Sequence, residues 1–246
     1  MLPQEAAFLT SVVVIPAVMY VLYRTIVPFE PVMRDFEVGA ALMFPLLAGA
    51  AIGFVHILID PPLLATVWGL VAYLFLYPVI ASYAVLILFN RRRTLEQPAA
   101  PIYFAVGGAG LAMGLAAAES YRSFASLGDA PADLGFILVM LVQSTAFVMF
   151  HCSKGLYLGT HVAQGRRSRG VVMASLLEGP LGLLYFTARL GDDRGAAALL
   201  LLLYSLFVYL WVWRRFFPEQ MPEEMAKALK RERRRARLKR ARGGPS

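Results

Sequence analysis

Apolar residues run in long blocks along this chain, and polar residues gather in the short stretches between them. A helix needs roughly 20 apolar residues to cross the hydrocarbon core of a bilayer. That length predicts seven spans: Ala7–Val27, Val38–Ile59, Leu63–Phe89, Ile102–Ala118, Leu134–Phe150, Val171–Arg189 and Ala196–Phe216. The third is long and holds Pro78 near its middle, so tilt or a proline kink is expected to fit it into the bilayer. Asp60-Pro61-Pro62 reads as a very tight turn between the second and third spans; a different partition there leaves six, and seven is the preferred count. The expected fold is therefore an all-α polytopic membrane helix bundle. Residues 1–217 form one bundle domain and residues 218–246 a basic, partly helical tail. Pro222 is expected to start the tail helix, with Glu223 and Glu224 in its first turn, where the helix dipole favours acids.

Composition sharpens this picture. Of 246 residues, 59% are hydrophobic and 16% charged, with a mean hydropathy of +0.61, well outside the usual range of soluble domains. A soluble enzyme, a disordered chain and a disulfide-rich secreted domain are excluded. Cys152 is the one cysteine, so neither an intrachain disulfide nor a cysteine zinc cluster is expected. The first apolar block lacks a small-residue cleavage site, so no removable signal peptide is read.

Charge sets the expected orientation, because Lys and Arg gather on the cytoplasmic side. With the N-terminus outside, 21 of the 24 basic residues fall inside, Lys154 among them as a loop residue. Only Arg122, Arg189 and Arg194 fall outside. The C-terminus then lies in the cytoplasm.

Ionisable groups inside membrane helices are costly and ask for a reason. Glu119 closes the fourth expected span, His151 ends the fifth, Glu178 sits inside the sixth just before Gly179-Pro180, and His56 lies near the outer end of the second. Glu178 is expected to point into the bundle toward His151, whose depth from the cytoplasmic side is compatible. Glycines surround these groups: Gly49 and Gly53, Gly110 and Gly114, Gly155 and Gly159 are each four apart. That spacing places two glycines on one helix face and lets backbones approach, so the second, fourth and fifth spans are expected to form the tight centre. No HExxH, GxSxG or P-loop is present, nor a lysine in the last span for a retinal Schiff base.

In order and wording these segments resemble the PrsW-like intramembrane protease family, within the wider group of CAAX-processing glutamate proteases. The opening "PAVMYVLYRTIVPFEPVMRDFEVGAALMFP" is similar to the family's helix, basic loop with Glu30-Pro31, and helix beginning near Gly39. "GGAGLAMGLAAAES" resembles its glycine-rich helix, with Glu119 at the glutamate and Ser120 at the usual asparagine. "HCSKGLYLG" resembles its third motif through His151 and Gly159, and "ASLLEGPLGLLYF" its last, with Glu178 where the family has histidine. The departure is the family's leading EExxK or EExxxR signature, thought to activate water. It would fall near Leu76–Ser82, "LYPVIAS", where no carboxylate or lysine stands. Glu223-Glu224-Met225-Ala226-Lys227 spells EExxK but lies in the tail, after every other motif.

The resemblance, together with this gap, implies a bundle that has lost peptidase chemistry and acts as a membrane scaffold, packed against a transmembrane helix of another protein. The γ-secretase scaffold subunit is similar in lacking the glutamate pair. The competing reading is an active peptidase in which Glu119, His151 and Glu178 share the base, oxyanion-donor and second-carboxylate roles, or hold one divalent metal such as zinc. A third reading makes the chain a tether. Residues 219–242 carry +6 of the formal +8, and Lys230, Arg231, Arg233, Arg234 and Arg235 are expected to contact anionic lipid headgroups or, less suitably, RNA. No aromatic residue follows Phe217, which argues against base stacking.

Overall fold

The computed structural model describes residues 20, 22–64, 69, 71–89, 97–125, 133–190 and 194–241, and these are helical apart from turns, with no strand among them. The helices are α1 (Asp35–Leu64), α2 (Tyr77–Phe89), α3 (Ala100–Ala125), α4 (Leu134–Ala163), α5 (Arg167–Leu190), α6 (Arg194–Trp211) and the tail helix α7 (Glu223–Ala241). A 3₁₀ turn, Val27–Val32, precedes α1. Phe36–Val55, Ala100–Ala125, Leu134–Ala163 and Arg194–Gln220 are each long and apolar enough to cross a membrane. The protein is thus a membrane helix bundle. The first expected span, Ala7–Val27, lies outside the described residues except for its last turn.

Between helices in lipid there is little hydrophobic driving force, so association rests on close van der Waals contact. The α1–α3 and α3–α4 pairs are the most extensive contacts, and the glycines explain them. A methyl group added at Gly49 would stand 2.1 Å from the Leu111 carbonyl oxygen, and one at Gly114 2.2 Å from that of Leu46. Gly53 and Gly110 are closed in the same way by Ala118 and Leu42. On the other side of α3, a methyl at Gly155 would stand 2.1 Å from the Phe104 carbonyl oxygen, and Gly159 is covered by the Phe104 side chain. Helix α3 is gripped from both sides, and 94% of its span-length window is buried. Around this centre, α6 packs on α4 and α5, and α2 packs on α5.

Several boundaries differ from expectation. Helix α1 continues through Asp60-Pro61-Pro62 to Leu64 in place of a tight turn. Proline's fixed φ is itself helical, so the chain loses hydrogen bonds there without having to leave the helix. Helix α3 runs on past Glu119 to Ala125, and α4 past Phe150 to Ala163. At 1.5 Å per residue α4 is about 45 Å long, more than the hydrocarbon core needs.

The helix is widened and not interrupted at Pro78. The π-helical turn Ala72–Leu76 ends two residues before it, and a second one, Val212–Phe216, ends two residues before Pro218. A proline ring clashes with the carbonyl four residues back, here Leu74 and Arg214. Both carbonyls lie inside the widened turns, which relieve the clash. After the second, Phe217–Gln220 completes α6 and α7 folds back. Met225 and Leu229 are buried there, and α7 contacts the Val27–Val32 turn.

Candidate functional site

Helices α4 and α5 form a hairpin that brings three ionisable side chains together. Asp133 caps α4, its Oδ1 accepting from the Phe136 amide at 2.6 Å. At the far end the helix closes on Gly165, with φ +74, a left-handed conformation that glycine adopts at no steric cost. The Gly165 amide donates to the Val162 carbonyl at 2.9 Å and the Arg166 amide to that of His161 at 2.8 Å, the paired bonds of a Schellman cap. Lys154 precedes Gly165 by eleven residues and Glu178 follows it by thirteen, so the two reach nearly the same depth on antiparallel helices.

There the Lys154 ammonium donates to Glu178 Oε2. Both side chains are only 5% exposed. His151, one turn before Lys154 on the same face, places Nε2 3.8 Å from Glu178 Oε1, beyond direct hydrogen-bonding distance. Its ring lies 6.2 Å from Phe147 in a nearly parallel stack and meets the edge of Phe150 at 5.3 Å. The polar seam continues along α5. Ser175, one turn before Glu178, lies 3.2 Å from the Ser82 hydroxyl of α2, and Ser82 also donates to the Pro78 carbonyl at 2.7 Å. Pro180 follows Glu178, and the Tyr204 hydroxyl of α6 donates to the nearby Leu177 carbonyl at 2.6 Å. Glu178 thus lies on the His151 side of the bundle, but its direct partner is Lys154.

Glu119 does not join this cluster. Gly108 abuts the His151 carbonyl, and Glu119 lies eleven residues further along α3, roughly 16 Å on. Its Oε1 is 4.0 Å from Arg122 Nη1, within its own helix. The two residues border a cavity of about 280 Å³ with Gln143, Ser144 and Arg194, at the end of the bundle where α3 stops and α4 and α6 begin. Phe147 and Tyr185 form the wall toward His151, their rings edge to face at 5.2 Å. An aromatic layer therefore separates the cavity from the buried ion pair. His56 lies on α1, with its side chain outside the described residues.

Lys154 is the residue that sequence reasoning misplaced. A lysine after an apolar run ordinarily marks a cytoplasmic loop, yet here it lies within α4 and its charge is met by Glu178. The available signal was Gly165: a helix taken to its glycine cap, not to its first charge, puts Lys154 opposite Glu178.

Among the described residues no three His, Cys, Asp or Glu side chains are grouped to hold a metal ion. Glu178 already accepts from an ammonium and Glu119 stands apart, so this donor set does not fit zinc. In the tail, Lys230, Arg231, Arg234 and Arg235 lie exposed on α7; Arg233 belongs to the same helix, its side chain outside the described residues. Lys227 pairs with Glu223 at 2.6 Å within one helical face, so the EExxK wording there serves helix stability.

No protein-family model, no curated protein and no solved structure matches this chain.

Proposed function

We propose that the chain is a PrsW-like bundle of seven spans, N-terminus outside and C-terminus cytoplasmic, that has lost peptidase chemistry and holds a transmembrane helix of a partner protein in the cell membrane. One observation carries the reading. The segment where the resembled family has its glutamate pair, Leu76–Ser82, packs on α5 through the Ser82–Ser175 contact, one turn from Glu178. The place of a water-activating carboxylate is filled by Pro78 and buried Ser82. The carboxylate nearest that place, Glu178, is committed to Lys154, and a base so engaged is poorly disposed to take a proton from water.

The peptidase alternative keeps one point in its favour, the approach of His151 to Glu178. It needs Glu119 as well, and α3 would have to slide about three turns along α4 to deliver it. Reconstituted protein incubated with a panel of single-span membrane substrates decides between the two. Recovery of substrates cross-linked but uncut is the expected result. Cleavage that disappears in Glu119→Ala and Glu178→Gln would establish the peptidase.

A further inference from the structure

A second cavity lies at the opposite end of the molecule, where the π turn that ends α6, the Val27–Val32 turn and α7 meet. It measures about 680 Å³, within the range of ligand sites. Phe29, Trp213, Phe217 and Leu229 supply apolar wall, and Lys230 and Arg234 stand on its lining one turn apart. Met225 and Leu229 dock α7 against the bundle, so the tail helix is itself one wall. Three features define the occupant. The wall is largely apolar and aromatic, with Trp213 part of it. Two like charges four residues apart repel along a helix, and an anion between them removes that cost. The cavity also adjoins the end of Arg194–Gln220, a helix long enough to cross a membrane, where Trp residues favour the headgroup level.

We infer that this cavity binds one anionic phospholipid of the adjoining leaflet, its acyl chain against Phe29, Phe217 and Leu229 and its phosphate between Lys230 and Arg234. The site makes the tail a lipid-reading element with a chain-binding wall, beyond a diffuse basic surface. RNA offers the same phosphate but no acyl chain, and the tail beyond Phe217 has no aromatic side chain on which bases would stack.

The test uses the full chain in detergent, with bound lipid counted by native mass spectrometry. With phosphatidylglycerol and phosphatidylcholine supplied together, one phosphatidylglycerol should be retained per chain, preferred about tenfold. Lys230→Glu with Arg234→Glu should remove that preference, and Lys230→Arg with Arg234→Lys should keep it. Ala226→Phe, an exposed position on the cavity lining, should lower retention with no change of charge. Equal retention of both lipids, or undiminished binding in Ala226→Phe, would overturn the site. So would an equal loss from the distal pair Lys239→Glu and Arg240→Glu, full displacement by inorganic phosphate, or displacement by an RNA oligonucleotide.

Discussion

Two lysine–glutamate pairs in this molecule share the same chemistry and differ in everything around it. Lys154 and Glu178 meet across two helices, 5% exposed; Lys227 and Glu223 meet along one helix, at 60% and 81% exposure. Contact alone does not rank them, because solvent decides the worth of a charge. In water, an exposed pair trades one set of partners for another and gains a few tenths of a kcal/mol. In the bundle interior neither partner has water to return to, so each is needed to make the other tolerable. The buried pair adds little net stability over an apolar pair of like volume, yet losing one member is severe. The contrast separates a contact that specifies how two helices pair from one that only steadies a surface helix.

The largest effect is expected from splitting the buried pair. Glu178→Leu leaves Lys154 unmatched and should cost about 3 kcal/mol in denaturant unfolding of the micelle-bound protein. Adding Lys154→Met should restore all but about 1 kcal/mol. A double variant as unstable as the single would show that the pair itself holds the hairpin together. Next comes the glycine centre around it. Gly155→Ala drives a methyl into the Phe104 backbone and should cost about 1–3 kcal/mol, since a backbone atom has no rotamer to escape into. Gly179→Ala, with open space around it, should instead raise stability by about 0.5–1 kcal/mol through helix propensity. Equal costs at the two positions would discard the close-approach account of α3 and α4.

Smaller effects belong to the tail. Leu229→Ala with Met225→Ala should speed limited trypsin cleavage at residues 230–235 about tenfold while the unfolding midpoint of the bundle stays put. A matching fall in the midpoint would mean that α7 is integral to the bundle. Smallest of all, Lys227→Ala should change tail stability by about 0.3–0.5 kcal/mol, and molar salt should erase the difference. A salt-resistant loss would place that pair closer to the buried one in kind.

What the sequence made legible follows from how local each signal is. Glycines four apart mark a helix face without knowledge of the neighbour, and all three expected pairs lie in the α1–α3–α4 centre. Glu178 is legible as an anomaly because it interrupts an apolar run. Its partner is not, because Lys154 stands among Cys152, Ser153 and Gly155 in wording that suits a loop as well as a helix. Only the pairing across the hairpin resolves it, and that depends on where α4 ends. Glu119 illustrates the reverse. Its residue type suits chemistry, but the rise of α3 carries it about three turns beyond the level of His151. The π turns are half legible: Pro78 announces a distortion, while the widened turn before it is the backbone's choice among several ways to absorb a proline.

The short Gln164-Gly165-Arg166 turn has a consequence for biosynthesis. A helix carrying a lone lysine at its interior is a poor candidate for release into lipid, at about 2.5–3.5 kcal/mol for a central charge. During synthesis α4 emerges before α5, so for a time Lys154 has no carboxylate to meet. The tight reversal at Gly165 brings Glu178 alongside after little more than a dozen further residues. Lys154 and Glu178 thus offset one another's charge as soon as the hairpin closes. A chain halted between the two helices would leave Lys154 without that carboxylate.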